Sequence, residues 1–389
     1  MPHIHQPFEA ILPFDTLSDH ALAEFLVNDW HIRPRLFRQA LHGDSLEFDP
    51  TEILSLATNP DAESRLISCF DGKWRLTLGP LDSLPSRRKK NWTVLVQGVE
   101  QQLAQADRLL QRFRFLPDAR LDDLMISFAT DGGGVGPHVD SYDVFLLQVH
   151  GQRRWRIGKQ NDLSLRTDLP LKILANFQPS EEMILDPGDL LYLPPDYAHE
   201  GVAIGDCLTV SIGFRAPTAS EILAAALRGW ADAIEAEPDE WPTRFADPGR
   251  GATAKPACLP ADLLVWADHL LQNAKWSAEI LERSLGQYLT EPKDNVFFDA
   301  PERKWSRKKI VSHWLTNGVR LSARSKIVYG TTAGYLNGER FSFVCSQFHT
   351  VFQLLADQHG LTAEQCRAYG ENPAVMPWLE EIFNAGWLT

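Results

Sequence analysis

The sequence has few cysteines and no long apolar stretch. Only five of its 389 residues are cysteine, an odd number, and none of them forms a C-x-x-C pair. This disfavours a disulfide framework and a cysteine-ligated zinc site, and it indicates a reducing compartment, so we expect the cytoplasm. No apolar run approaches the roughly 20 residues of a membrane-spanning helix. The N-terminus has no basic region followed by an apolar stretch, so we expect no secretory signal.

Positive charge is also scarce. The chain has 38 lysines and arginines against 51 aspartates and glutamates, a net charge of -13. So acidic a chain is not expected to bind bare nucleic acid directly, and it suits a basic protein partner. Acidity can also serve solubility alone. The length and a hydrophobic content of 44% indicate a globular protein of two or three domains.

The first half of the chain mixes helix and strand patterns. Residues 65–78 read as strands broken by the turn Asp71-Gly72. Residues 92–112 read as a helix because their apolar residues recur at helical spacing. Residues 124–128 form a strand, and residues 144–157 form a hairpin about the turn His150-Gly151. Further short strands with glycine and proline turns continue to residue 214, which is typical of an antiparallel barrel or sandwich.

The composition changes after residue 217. Residues 220–235 and 260–289 have amphipathic helical patterns. A basic helix with five cationic residues between Arg303 and Lys309 opens a third region. It is followed by a strand region, residues 319–344, that contains the turn Asn337-Gly338, and then by further helices.

A metal-binding pattern lies at His138-Val139-Asp140. Non-haem Fe(II) oxygenases hold iron with two histidines and one carboxylate. Alternation along a strand places both members of a His-x-Asp pair on the same side. The pattern alone is weak, since His42-Gly43-Asp44 also matches it, but that copy lies in a turn-like segment. The copy at residue 138 follows a glycine-rich loop, which lets the backbone approach a ligand closely.

Two further residues complete the predicted site. His199 follows a Pro-Gly-Asp turn, a short apolar strand and a Pro-Pro corner, which is the cupin arrangement for the last metal ligand. In the 2-oxoglutarate-dependent class of these oxygenases, the keto acid end of the cosubstrate binds the iron. Its distal carboxylate then needs a cationic partner. Arg153 shares a strand face with Trp155 and Ile157, so it is the better candidate for that partner, with Arg154 as the alternative. Ser127, in an otherwise apolar strand, can hydrogen-bond the same cosubstrate or merely fill space.

These motifs resemble those of the bacterial JmjC-type ribosomal oxygenases, cupin-fold arginine hydroxylases that act on the sixteenth large-subunit ribosomal protein. The resemblance covers residues 30–220 well and the C-terminal third mainly in layout. The matching stretches include Ser64–Ser68, Asp71–Trp74, Asn91-Trp92, Asp122–Phe128, Gly132–Asp140, Tyr142–Phe145, Arg153–Arg156, Pro187–Asp189, His199–Gly201 and Gly213–Pro217. The chain departs from the cupin pattern at Asp196, where glycine is common.

The resemblance implies an α+β chain in three parts. These are a JmjC/cupin double-stranded β-helix in residues 1–217 (barrel core about 95–217), a helical dimerisation segment in residues 218–300 and a winged-helix-like domain in residues 301–389. It implies Fe(II) at His138, Asp140 and His199, and 2-oxoglutarate at Arg153 with Ser127. The expected partners are a basic ribosomal protein as substrate and a second copy of the chain in a homodimer.

An arginine substrate needs carboxylates or an aromatic ring at the pocket mouth. The candidates are Asp131, Asp143 and Glu200 as carboxylates and Tyr142 as a stacking ring. The same metal site would also serve a JmjC histidyl hydroxylase or lysine demethylase. A rival of another class is a non-catalytic cupin regulator that binds DNA through the basic C-terminal helix, although a solvated helix face explains that cluster equally well.

Overall fold

The computed structural model describes residues 9–10, 19–236, 243–253, 255–274, 276–369 and 372–389. The chain divides into two compact units, Met1–Ala216 and Pro217–Thr389. The predicted division into three parts, with separate segments 218–300 and 301–389, stays a prediction.

The first unit is built on one ten-stranded sheet with three α-helices. The helices are α1 (Asp19–Asn28), α2 (Pro50–Leu56) and α3 (Ala104–Gln111). The strands are β1 (Glu9–Ala10), β2 (Arg35–Phe37), β3 (Ser64–Phe70), β4 (Lys73–Leu78), β5 (Trp92–Val96), β6 (Leu121–Ala129), β7 (Asp143–Gly158), β8 (Glu181–Leu185), β9 (Leu190–Leu193) and β10 (Ala198–Phe214). Their order is β1-β2-β9-β7-β10-β6-β5-β3-β4, with β8 beside β7. All pairs are antiparallel except β1 with β2. The fold is the expected double-stranded β-helix.

The centre of this sheet is the long antiparallel pair of β7 and β10. Both halves of β7 pair with β10, and the register shifts between Ile204 and Leu208. The predicted hairpin within β7 is therefore wrong. Gly151 lies at this irregularity with φ +62°, and a Cβ there would lie 2.2 Å from the carbonyl oxygen of Asp206. The His150-Gly151 pair thus marks a distortion inside one strand, because the partner strand is long enough to continue past it.

The predicted helix over residues 92–112 is also wrong in its first half. Trp92–Val96 is strand β5, which lies between β3 and β6, and all five of its residues are buried. A strand that is covered on both faces is apolar at nearly every position, so its sequence shows no clear period of two and can imitate helical spacing. The helix begins only at Ala104 and ends at Gln111.

Aromatic side chains fill the core of the first unit. Trp92, Phe128, Phe145, Tyr192 and Phe214 have almost no exposed surface. They come from five different strands, so their packing fixes the strands that carry the predicted site. The ring centroids of Phe145 and Tyr192 are 5.0 Å apart, and those of Trp92 and Phe128 are 5.4 Å apart, within the usual range for packed aromatic pairs.

The second unit contains seven helices and five short strands among its described residues. The helices are α4 (Ala219–Ala236), α5 (Ala261–Asn273), α6 (Ala278–Thr290), α7 (Arg307–Asn317), α8 (Ser346–Gln358), α9 (Ala363–Tyr369) and α10 (Val375–Asn384). The strands are β11 (Val319–Arg320), β12 (Ile327–Tyr329), β13 (Ala333–Leu336), β14 (Glu339–Ser342) and β15 (Gly360–Leu361).

Residues from α7 onward form a winged-helix arrangement. Trp314, Phe352 and Trp378 from α7, α8 and α10 are buried together in one core, and β12, β13 and β14 form a three-stranded sheet. Helix α6 packs on this sheet so closely that a Cβ at Gly286 would lie 2.3 Å from the Tyr335 ring. Among the described residues, none of the helices combines the length and the apolar character needed to cross a bilayer.

Candidate active site

Three potential metal ligands converge inside the first unit. His138, Asp140 and His199 each offer one ligand atom, and these atoms lie within 4.8 Å of one another. The Asp140 carboxylate is 3.8 Å from His138 Nε2 and 3.5 Å from His199 Nε2. Within the described part of the chain this is the one group of metal-ligating side chains found, and His42 lies exposed before a short 3-10 turn.

Backbone hydrogen bonds bring the two histidine segments together. The His138 N–H donates to the His199 carbonyl at 3.0 Å, and the His199 N–H donates to the His138 carbonyl at 2.9 Å. The Asp196 N–H donates to the Asp140 carbonyl at 2.9 Å. Asp196 has φ +61°, a left-handed conformation that glycine adopts most easily, which explains why glycine is common at this position.

The ring orientations leave Nε2 of both histidines for a metal. Nδ1 of His138 bonds the Gly136 carbonyl at 3.0 Å, and Nδ1 of His199 bonds the Tyr197 carbonyl at 2.9 Å. A carbonyl can only accept, so Nδ1 carries the proton and Nε2 keeps its lone pair. Burial, assisted by the neighbouring His138, lowers the pKa of His199 to about 4, so its ring is neutral near pH 7.

A cavity of about 400 Å³ opens beside these ligands. Its lining includes Ser127, Tyr142, Arg153 and the apolar residues Leu146 and Trp155. Such a volume suits a small cosubstrate together with one substrate side chain.

Arg153 tests whether the cavity fits 2-oxoglutarate. It is 5% exposed, it lines the cavity, and its Nε and Nη2 atoms are buried without a hydrogen-bond partner. A buried cation without an anion is costly, so the site is suited to a carboxylate. Arg154 is exposed, in agreement with strand alternation. Ser127 is buried in the lining, and its hydroxyl is 3.4 Å from the Thr209 carbonyl. The cavity thus fits a metal chelator with a second, distal carboxylate.

The three carboxylates that were predicted to bind the substrate lie outside the cavity lining. Asp131 pairs with Lys90 at 2.8 Å, and Asp143 is fully buried against Arg120, His31 and Tyr192. Glu200 forms an ion pair with Arg156. None of the three lines the cavity.

Tyr142 does line the cavity and is 37% exposed. Burial, with the charges of Asp140 and Asp123, raises the pKa of Tyr142, so its hydroxyl stays protonated and can donate to Asp140. Of the four predicted substrate-binding residues, it alone is placed at the cavity.

Sequence reasoning missed several lining residues. Arg65, Leu76 and Leu78 come from β3 and β4, and Pro170–Lys172 from the loop before β8. Thr209 and Ser211 lie on the inner face of β10. A hydroxyl at every second position of an apolar strand was the available signal for Thr209 and Ser211. The hairpin β3–β4 gave no signal, because its distance in sequence hides its place beside the metal ligands.

A double-stranded β-helix that presents two histidines and one carboxylate beside a buried, unpaired arginine is the arrangement of the Fe(II)- and 2-oxoglutarate-dependent dioxygenases.

Comparisons with known proteins agree. A JmjC-domain model matches residues 108–222, and a ROXA-like winged-helix model matches residues 270–389. The ribosomal protein uL16 3-hydroxylase of Escherichia coli (strain K12) is 33% identical over 371 residues, which cover 94% of this chain and 96% of the relative. The structure of YcfD, a ribosomal oxygenase from E. coli in complex with cobalt and 2-oxoglutarate, superimposes with a TM-score of 0.77 at 29% identity, covering 95% of this chain and 97% of that one.

A bifunctional lysine-specific demethylase and histidyl-hydroxylase NO66 of Dictyostelium discoideum matches more locally, at 36% identity over 85 residues, 20% of this chain and 16% of that protein. The match to the E. coli relative over 94% of this chain, together with the two family models, shows that the chain belongs to the bacterial JmjC ribosomal oxygenases. It is a 2-oxoglutarate-dependent dioxygenase, and His138, Asp140 and His199 form its metal-binding group.

Proposed function

We propose that this dioxygenase hydroxylates an arginine side chain of a large-subunit ribosomal protein, with uL16 as the first candidate. The observation that carries the proposal is the match to the E. coli uL16 3-hydroxylase, which runs through both units and not the catalytic part alone. The net charge of -13 also suits a basic substrate.

In this proposal His138, Asp140 and His199 hold iron, and Arg153 with Ser127 binds the distal carboxylate of 2-oxoglutarate. Iron and 2-oxoglutarate together supply the oxidising power that adds oxygen to an unactivated carbon. The protein positions the reactants: its backbone bridge fixes the two imidazoles, and the apolar walls of the cavity exclude water. Arg153 orients the cosubstrate because its charge has no other described partner.

The substrate side chain enters past Tyr142, whose ring can stack on a guanidinium. Asp131, Asp143 and Glu200 were the other candidates for this contact. Each already has a cationic partner, so the geometry lends them no support as substrate ligands. Asp123, whose charge acts on Tyr142, is a further candidate carboxylate.

Assembly and location complete the proposal. Helices α4 and α5 expose apolar side chains, among them Leu223 (60%), Val265 (69%) and Leu271 (65%), which supports a homodimer formed through this segment. Five unpaired cysteine residues support a reducing, cytoplasmic setting. We propose no direct binding of nucleic acid, in keeping with the acidic charge.

Two alternatives remain as outcomes of experiment. A histidyl hydroxylase or lysine demethylase would use the same ligands, but the proteins with that name match only a fifth of the chain. A DNA-binding regulator would rest on the basic cluster Arg303–Lys309 alone, of which α7 contains only the last three residues. It also gives no role to the buried, unpaired Arg153.

The test is mass spectrometry of ribosomal proteins incubated with the enzyme, Fe(II) and 2-oxoglutarate. We expect one added oxygen on an arginine-containing peptide of uL16, and none with His138→Ala. Oxygen on a histidine peptide, or loss of lysine methyl groups, would transfer the assignment to the first alternative. No modified protein, together with specific DNA retention at ~150 mM salt, would favour the regulator.

A further inference from the structure

Strand β4 is an open edge of the large sheet. It pairs with β3 and with no other strand among the described residues. An edge strand presents a row of backbone donors and acceptors that can pair with another chain.

The register identifies the free backbone groups. The two-residue turn Asp71-Gly72, with both φ values positive, makes Phe70 and Lys73 a hydrogen-bonded pair. The bond from the Gly79 N–H to the Ser64 carbonyl, 2.8 Å, confirms the same alternation at the other end. Residues 74, 76 and 78 therefore direct their N–H and C=O groups away from β3.

The side chains of the same residues face the active site. Leu76 and Leu78 line the cavity, and Trp74 reaches the glycine-rich loop, where its ring lies 3.3 Å from a Cβ built at Gly136. Leu78 is 70% exposed, although it is a large apolar side chain. The open backbone edge is therefore continuous with the cavity mouth.

The other face of β4 carries charge. Lys73 and Arg75 alternate with the cavity-facing residues and are exposed. Cationic side chains on an edge strand discourage pairing between identical chains. The charged face of β4 thus disfavours self-association of two copies of the chain, while its apolar face lies at the mouth of the active-site cavity.

We propose that an extended segment of the substrate protein adds to the sheet beside β4. It pairs with the outward backbone groups of Trp74, Leu76 and Leu78, and this places the side chain to be hydroxylated in the cavity. This is β-strand addition, in which backbone bonds hold the peptide and a pocket selects alternate side chains. The inference rests on the proposed function, because the occupant is its substrate.

A backbone N-methyl scan of the substrate tests the pairing. Overlapping synthetic peptides that cover uL16 are first assayed for hydroxylation. The modified peptide is then remade with one N-methyl group at each position near the target residue. We expect hydroxylation to fall about tenfold or more at every second nitrogen, and to change less than about twofold at the nitrogens between them. Uniform tolerance, or losses without a period of two, would overturn the proposal.

Variants of the enzyme provide the matched comparison. Leu78→Pro removes the outward N–H, whereas Leu78→Ala trims the side chain and keeps it. A proline is tolerated on an edge strand where its nitrogen faces outward. We expect the proline variant to raise the KM for the peptide at least about fivefold over the alanine variant, with similar melting temperatures. Equal KM values in two folded variants would contradict the pairing. If Leu78→Pro fails to fold, the N-methyl scan decides alone.

If the proposed function is wrong, the result differs from the one expected when only the strand pairing is wrong. In that case neither intact uL16 nor any of its peptides gains oxygen. The N-methyl scan is then applied to the ribosomal protein that does become modified, and the same pattern is expected.

Discussion

Glu100 offers a quantitative test of the electrostatics of the first unit. It lies in a short 3-10 turn after β5 and is 5% exposed. Its carboxylate accepts a hydrogen bond from the Leu124 N–H at 3.0 Å and another from the Gln101 side chain at 3.2 Å. Burial, and then the charge of Asp123, raise the pKa of Glu100 from 4.5 to about 7, despite those hydrogen bonds.

The raised pKa of Glu100 determines the sign and the size of its effect on protein stability as the pH changes. The folded state holds its proton up to about pH 7, whereas the unfolded chain releases it near 4.5. Rising pH therefore lowers the free energy of unfolding between about pH 4.5 and about pH 7. Above that range this contribution to stability is fully lost. A difference of about 2.5 pH units corresponds to roughly 3 kcal/mol. Glu100→Gln keeps the shape and an acceptor for Leu124 but cannot ionise, so it removes this loss.

The assay is urea unfolding of both proteins at several pH values. The free energy of unfolding of the variant minus that of the parent should rise by about 2 kcal/mol between about pH 5 and about pH 8.5. The subtraction cancels all other titrating groups. Glu52→Gln, at an exposed site in the first turn of α2, serves as the control for the amide substitution itself. A difference that does not vary with pH for Glu100→Gln would refute the reasoning.

Three further predictions concern the site and the second unit. His138→Ala should lower turnover more than about a hundredfold because a metal ligand is lost, with an unchanged melting temperature; substantial activity would sink the ligand assignment. Arg153→Ala should raise the KM for 2-oxoglutarate about thirtyfold to a thousandfold, since a charge-assisted pair of about 2–4 kcal/mol is removed. Arg154→Ala should change it less than about twofold, and a reversal of the two results would show that the facing argument is wrong. Gly286→Ala should destabilise the second unit by about 1–3 kcal/mol in thermal unfolding, because its Cβ would overlap the Tyr335 ring; a gain from the better helix propensity of alanine would contradict this.

The sequence was sufficient to predict the residues that converge at the metal site. His138 and Asp140 stand out because a glycine-rich loop and two strands surround them, whereas His42 is exposed and precedes a short 3-10 turn. The placement of Arg153 inside and Arg154 outside follows from alternation along one strand. These inferences need only local pattern, which a sequence carries directly.

Long-range pairing was the part that sequence could not supply. Strand β5 imitated a helix because both of its faces are covered, and β7 imitated a hairpin because nothing local shows the length of β10. Asp143 looked suited to a cationic substrate, but Arg120 and His31 come from distant segments to pair with it. The contribution of β4 to the cavity has the same origin.

The backbone bridge between His138 and His199 makes folding of the chain and binding of the metal two separate equilibria. Two backbone hydrogen bonds join positions 61 residues apart (199 − 138), and a carbonyl two residues upstream orients each imidazole. The entropy of closing that loop is thus lost when the chain folds and not when a metal arrives. Because the ligands are already in place, a metal can dissociate and bind again without refolding of the site. Metal occupancy is therefore set by the concentration of free metal more than by refolding.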